Sequence, residues 1–448
     1  LKPENISSLH QSLRRFSMNI KGTPKRGLFG ATLGFFIGFA AVALFGTTAQ
    51  KLKDVMQLTP VMVGFLVAIP SLTGSLLRIP FAAWVDITGG RKPMLVLLSL
   101  SIVGMAGLTF TIFSLYPQRL TPAMYPLILL LGALSGCGIA TFSVGISQAS
   151  YWTPKAKQGY ALGIYGGVGN LAPGIFTLVL PLALTAAGLA GAYLIWLCLL
   201  VLGTIGYYFT GLNAPYFQLR QHGLDPEAAR REAAKAGQEI FPSGNIKDSL
   251  LFSARVWKTW ALVAIYFTSF GGFLAMTAWL PTYWKSFLGV SAVLAGMLTA
   301  AYSLLASLVR VWGGSLADRF GGERIAILAL MVMLIGAFAL TFSHTFGLSL
   351  AAELLMALGM GMTNAAVFKL VPKEVPQAVG GASGWVGGLG AFGGFAIPPL
   401  LSAFVRWQGE GGYATGFVTY IALALVSLGL ALLLQKSHAR SLALQTVD

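Results

Sequence analysis

Charge is what this chain has least of. Asp, Glu, Lys and Arg make up 10% of its 448 residues, against roughly 25% in an ordinary soluble domain. Only 14 of them are acidic. A soluble enzyme or nucleic-acid binder needs a polar surface that so few charges cannot cover, so no nucleic-acid partner is expected. Cysteine and histidine are rarer still. Cys137 and Cys198 lie in separate apolar runs without metal-ligand spacing, which excludes a disulfide framework and reads as two small buried hydrophobes. His10, His222, His344 and His438 are scattered over tails, a central polar stretch and a loop. No pair of them has ligand spacing, and no nucleophile, base and metal can be assembled around them. No metal and no cofactor is expected, and a membrane enzyme has no catalytic group to work with.

Long apolar runs are what is there. The chain is 56% hydrophobic with a mean hydropathy of +0.75. Crossing about 30 Å of hydrocarbon takes about 20 apolar residues at about 1.5 Å each. Twelve such runs lie near 28–50, 61–84, 93–115, 123–148, 160–184, 189–210, 257–281, 291–316, 325–344, 346–370, 379–405 and 413–435. The expected fold is an all-α membrane protein: a cytoplasmic tail (1–27), a six-helix bundle (28–210), a cytoplasmic linker (211–256), a second bundle (257–435) and a cytoplasmic tail (436–448). Residues 1–27 have no cleavable leader, and the Arg14-Arg15 pair reads as a topology determinant.

Net charge is +16, with 30 Lys and Arg. With both ends inside, 23 of these fall on inner segments and 5 (Lys51, Lys53, Arg119, Lys285 and Arg406) on outer ones. That asymmetry satisfies the positive-inside rule for an even number of spans. It leaves two cations inside apolar runs, Arg78 and Arg310.

The chain is duplicated. "GFLVAIPSLTGSLLRIPFAAWVDITGGRK" from Gly64 aligns without gaps to "GMLTAAYSLLASLVRVWGGSLADRFGGER" from Gly296, an offset of 232 that Arg78/Arg310 and Asp86/Asp318 share. Two glycine motifs, "GGVGNLAPG" at 166–174 and "GGLGAFGG" at 387–394, are offset by 221. Two parallel six-span repeats are the plan of many secondary transporters, with substrate bound at mid-membrane between the halves.

"WVDITGGRK" and "SLADRFGGER" resemble the cytoplasmic loop motif of the major facilitator superfamily. "PKAKQGYALGIYGGVGNLAPG" and "GGASGWVGGLGAFGGFAIP" resemble the two signatures of its nitrate/nitrite porter (NarK-type) family. The resemblance implies transport of nitrate or nitrite across the inner membrane by alternating access.

The Gly388, Gly390, Gly393 spacing also fits a dinucleotide fingerprint, but no strand precedes either copy and no acidic ribose ligand follows. Close packing of membrane helices explains small residues at Gly166, Gly167, Gly169, Gly387, Gly388 and Gly390. The resemblance adds that these stretches line the substrate path. Asn170 is the polar exception, and the resemblance assigns it to substrate contact.

Each arginine precedes its loop aspartate by eight residues, about 12 Å of helix rise, and so sits well inside the membrane. A buried arginine is costly and by default functional. Repeat symmetry sets Arg78 and Arg310 on facing sides of one cavity. Two planar forks that keep their protons suit a planar oxyanion. Organophosphates are the other anion class such a pair serves. A channel has no use for paired halves and a loop latch. Tyr266 and Phe270 stand one turn apart in "AIYFTSFGG", and Phe142 lies in "TFSVGISQ". Plain packing accounts for such rings, and the resemblance places them in the substrate pocket. It also implies a cytoplasmic gate in which Asp86 and Asp318 pair with loop arginines such as Arg91 and Arg319.

Glu353, two turns into its run, is the acidic residue inside an apolar span, and it is the candidate proton carrier. "FLAMTAWLPTYWK" and "NAAVFKLVPKEVP" resemble the proton-symport branch of the family, which tilts the expectation to proton-coupled nitrate symport, with nitrate/nitrite antiport as the alternative. The expected assembly is a monomer in the lipid bilayer.

Overall fold

The structure is a computed structural model that describes residues 20–242 and 246–445. Most of the expected N-terminal tail (1–19), three linker residues and the last three residues lie outside it. Among the described residues all regular structure is helical, and eleven segments are long and apolar enough to cross a membrane.

Local chemistry sets where these helices begin. Thr23 caps the first by accepting from Arg26 N, Thr59 caps the helix Pro60–Leu76 through Met62 N, and Ser291 caps Ala292–Phe320 through Leu294 N. The first two also carry proline in their opening turn, where a missing N–H leaves no bond unmade. In the linker, Asp225 caps Pro226–Lys235, and the N–H groups of Ala228 and Glu227 hold its carboxyl below the usual carboxylate range.

Three boundaries differ from the apolar runs. The run expected at 28–50 ends earlier, at Ala43, and Ala49–Met56 is a separate short helix. The runs expected at 160–184 and 189–210 join into one 50-residue segment, Ala161–Thr210. At about 1.5 Å per residue it is more than twice the length a bilayer needs. It turns a corner at Gly188 (φ 68°, ψ −175°), a conformation that glycine adopts without strain. The third difference is at the second glycine motif. There Val379–Leu389 stops, a turn spans 390–392, and Gly393–Gln408 begins.

Residues on either side of the linker meet along two helix pairs. Pro60–Leu76 packs on Gly393–Gln408, and Gln158–Thr210 packs on Ala292–Phe320. Glycine permits both approaches. A Cβ on Gly64 would lie 2.1 Å from Ser402 Oγ, and one on Gly296 would lie 2.6 Å from Pro181 Cγ. The periphery is apolar, with Phe110, Phe113, Phe342 and Trp312 exposed where lipid would lie. Cys137 is buried, but Cys198 is exposed, which corrects the reading of both as buried. Its run is apolar on every side, so the sequence carried no mark of which face turned outward.

Candidate functional site

Arg78 starts the helix Arg78–Thr88 directly after a break at Leu77. Its side chain is 1% exposed. Nε donates to Gly74 O (3.2 Å) and Nη1 to Gly387 O (3.0 Å), a carbonyl of the second glycine motif. Nη2 is buried and without a partner. Arg310 lies mid-way along Ala292–Phe320, half-buried, with its Nη1 buried and unpartnered. Among the described residues neither arginine forms an ion pair with a carboxylate.

Both cations share one pair of rings. The Arg78 guanidinium carbon stands 4.6 Å from the Phe142 centroid and 5.1 Å from that of Phe270. For Arg310 the same distances are 5.8 and 5.6 Å. The two rings are 5.7 Å apart. Ring faces attract each cation by about 0.5–2 kcal/mol, which offsets part of the repulsion between two positive groups. The arrangement leaves a buried N–H group without a partner on each arginine, beside the shared rings.

Glycine packing builds this pocket. Tyr266 and Phe270 are stacked at 4.8 Å and 7° across a π-helical turn at Phe267–Gly271, a local widening common at functional sites. That turn fits because its neighbours lack side chains. A Cβ on Gly271 would meet Gly390 O at 2.6 Å, and one on Gly390 would meet Tyr266 Cδ1 at 2.7 Å. The Tyr266 hydroxyl lies near both guanidinium groups without a well-directed hydrogen bond. In the first motif Gly169 admits the Phe35 ring, whose nearest atom would be 1.8 Å from a Cβ. Phe35 then stacks on Tyr165 (4.9 Å) and meets Phe142 edge-on (5.2 Å). Gly388 faces Ile79, Gly167 faces Val311, Gly387 has only Phe368 at 3.9 Å, and Gly166 has open space.

Asn170 is 2% exposed; its Nδ2 donates to Gly166 O (2.6 Å) and its Oδ1 is unpartnered. It lines a small cavity with Phe270, Phe273, Ala306, Ser307, Arg310 and Asn364. Sequence reasoning missed four of these, Phe273, Ala306 and two polar residues, Ser307 and Asn364. Ser307 donates to Asn170 O (2.9 Å), and Asn364 is 3% exposed with its Oδ1 unpartnered. A lone amide inside the apolar run 346–370 was the available signal for Asn364. Phe35 carried none, since it sits among other phenylalanines.

The loop residues do not pair as expected. Asp86 accepts from the Tyr151 hydroxyl and Asp318 from Lys369. Arg91 instead donates to Tyr208 O (2.8 Å) and lies 4.9 Å from that ring, while Arg319 stands 5.6 Å from Phe320. Gly89 (φ 79°) and Gly321 (φ 92°) each turn the chain between two helices, and the first of these turns explains the difference for Arg91. The first sends the chain straight into a new helix whose opening N–H, that of Arg91, is capped by Asn213 Oδ1 (2.9 Å), so the side chain is aimed at residue 208 and not back at Asp86. Each of these pairs stays on one side of the linker. Bridging contacts are made elsewhere, by Arg78 to Gly387 O and by Ser307 to Asn170 O.

Glu353 stands apart from the cluster, eleven residues before Asn364, which is about 16 Å of helix. It is 0% exposed and accepts from Trp284 Nε1.

Residues 31–398 match the profile of the Major Facilitator Superfamily. Among curated proteins the chain is 31% identical over 435 residues to a "Probable nitrate/nitrite antiporter NarK1" of Thermus thermophilus, covering 92% of each chain. It is 29% identical to the "Nitrite extrusion protein" of Bacillus subtilis (90% of this chain, 92% of that one). A "Probable nitrate transporter NarT" of Staphylococcus epidermidis is 28% identical (84% and 87%). Among solved structures, the partially occluded inward-open conformation of the xylose transporter XylE from E. coli superposes with a TM-score of 0.70 at 17% identity, covering 93% of this chain and 99% of that one. That likeness shows the fold. The chain is therefore a multi-pass membrane transporter and not an enzyme, and it belongs to the major facilitator superfamily and, within it, to the nitrate/nitrite porter family.

Proposed function

We propose that this protein moves nitrate, nitrite or both across the cytoplasmic membrane by alternating access, with Arg78 and Arg310 clamping the anion. The observation that carries this is the pair of guanidinium groups over the shared Phe142 and Phe270 rings, each with a buried N–H free and, among the described residues, no carboxylate paired with it. A small planar anion accepts from both forks at once, while Phe142, Phe270 and Tyr266 exclude water and strengthen each bond. Asn170 supplies the amide beside Arg310. Relatives named for nitrate and nitrite support that substrate class.

In this reading the bilayer holds twelve helices, two for the segment bent at Gly188, in two six-helix repeats (28–210 and 257–435) with both ends and the 211–256 linker in the cytoplasm. The working unit is a monomer. Glycines 166, 167, 169, 387, 388 and 390 give the halves room to slide. Asp86 with Tyr151, and Asp318 with Lys369, brace the cytoplasmic end of each half.

The reading takes proton-coupled nitrate symport as the mode of energisation. Antiport is the second reading, because no carboxylate lies with the arginines to take a proton there and one relative is named an antiporter. Nitrate uptake into proteoliposomes, with and without internal nitrite and with and without an inward proton gradient, separates them. Uptake into nitrite-free vesicles that follows the gradient supports symport. Uptake that demands internal nitrite and ignores the gradient supports antiport, and no saturable uptake under either condition refutes the carrier.

A further inference from the structure

We propose that Glu353 is the proton-binding site of this carrier, reached from the face opposite the linker through a chain of hydroxyl groups on Ser343, Ser349 and Tyr283. The proposal rests on the anion-carrier reading above and names the group that reading leaves open. Glu353 is fully buried in the helix Phe346–Glu374; one oxygen accepts from Trp284 Nε1, and the other has no partner. Among the described residues it forms no ion pair. The groups that face it are uncharged: Tyr283 and Trp284 from the helix Gly272–Ser286, and Tyr302 from Ala292–Phe320. Lys285, next to Trp284 in the chain, forms no ion pair among the described residues. One indole N–H cannot replace the hydration of a carboxylate, so burying the charged form here is costly. A carboxyl group kept at that cost inside a membrane is by default functional.

A hydroxyl chain that runs toward the exposed His344 begins one turn earlier on the same helix, with Ser349 and Ser343 themselves buried. Ser349 Oγ lies 2.7 Å from Tyr283 Oη and 2.8 Å from Ser343 Oγ. Ser343 ends the helix Gly322–Phe342 beside the exposed His344, whose ring meets Phe287 at 5.7 Å. This is the end of Gly272–Ser286 away from the linker. Each hydroxyl both donates and accepts, so a proton taken up at Ser343 is matched by one released from Tyr283 and each hydroxyl then rotates back; the last step, from Tyr283 to Glu353, needs a side-chain movement, because no hydrogen bond joins the two in this conformation. Release follows when the conformational change wets Glu353 from the other side. The link to the anion is short. Tyr302 and Arg310 share one helix, and the Phe273 ring lies 6.0 Å from Tyr302 and 5.9 Å from Phe270.

The test uses the full chain in proteoliposomes containing a pH-sensitive dye. Wild type is expected to acidify the lumen when nitrate is added outside. Glu353→Gln, which keeps the shape and removes the titration, is expected to lose that acidification and to lower gradient-driven nitrate accumulation by about tenfold or more, while nitrate/nitrite exchange persists. Tyr283→Phe is expected to slow acidification and leave exchange unchanged. The proposal is overturned if Glu353→Gln acidifies as fast as wild type, or if it loses exchange together with acidification, which marks a structural role. It is also overturned if wild type exchanges anions without moving protons, an outcome that leaves the anion carrier standing. A wild type that moves neither nitrate nor nitrite refutes the carrier itself.

Discussion

Arg78→Lys keeps the charge and removes the fork, so it isolates what guanidinium geometry contributes. Arg78 makes two kinds of contact at once, Nη1 to Gly387 O at 3.0 Å and its planar face within 4.6 and 5.1 Å of two ring centroids, and its Nη2 is buried without a partner. A lysine ammonium is a point donor on a flexible stem. It can keep the Gly387 bond or reach the anion, but it cannot stack while doing either. The loss is then one charge-assisted hydrogen bond, about 1.5–3 kcal/mol, and part of the ring attraction, about 0.5–2 kcal/mol. Taken together, about 2–4 kcal/mol corresponds to a nitrate Kd weakened about 30- to 700-fold. Titration calorimetry in detergent measures it directly. Arg310→Lys should fall in the same range, since Arg310 also holds a free buried donor over the same rings. The two variants should differ in one respect. Only Arg78→Lys weakens the bond to Gly387, so only it should speed amide hydrogen exchange across Val379–Leu389. A Kd within threefold of wild type in either variant would refute the clamp.

The two glycines at 166 and 169 should answer alanine in opposite ways. Gly169→Ala drives a methyl group into the Phe35 ring and should cost about 1–3 kcal/mol of stability, read as a lower unfolding temperature, with nitrate binding lost as Phe142 is displaced. Gly166→Ala meets nothing within 4 Å and should fold and melt like wild type. Asn364→Leu keeps the branched shape, puts its larger methyl groups beside the small cavity and removes a buried oxygen that lacks a partner, so thermal stability should rise while nitrate affinity falls. Loss of stability with unchanged affinity would assign that amide to packing.

Much of this architecture was legible from the chain because a bilayer imposes simple rules. Apolar length marks spans, and an arginine in such a span is too costly to be incidental. Arg78 and Arg310 therefore stood out before any coordinates, as did the 232-residue offset that relates them. What stayed hidden depends on rotation about a helix axis, which an all-apolar run does not encode. Cys198 points outward for that reason, and Phe35 enters the cluster unannounced. The corner at Gly188 was hidden differently, because its flanking runs read as two helices whether a loop or one residue joins them. The partners of Asp86 were illegible as well. The sequence places Arg91 five residues away, but a helix start aimed at Tyr208 takes that arginine elsewhere.

The division of polar groups between the halves bears on how transport is energised. Arg78, Phe142 and Asn170 come from before the linker; Tyr266, Phe270, Arg310 and Asn364 come from after it. If these residues bind the anion as proposed, binding is an event between halves. Glu353, Trp284, Tyr283, Ser349 and Tyr302 all come from after the linker, so protonation is an event within one half. Two positive groups at the seam argue for exchange, because a carrier that must close over them without an anion meets repulsion. The bond from Arg78 to Gly387 works against that argument. It joins the halves through protein atoms alone, places a carbonyl dipole against one of the two charges, and requires nothing from the cargo. A carrier with such a contact has a route back across the membrane after releasing its anion, which symport needs and strict exchange forbids. Weakening that bond without touching the anion donors should therefore slow net uptake more than exchange. Because Gly387 O is a backbone atom, the practical lever is Gly388→Ala, whose methyl group would press on Ile79 at 2.7 Å and push the two helices apart. Equal slowing of uptake and exchange in that variant would remove the contact from the return step.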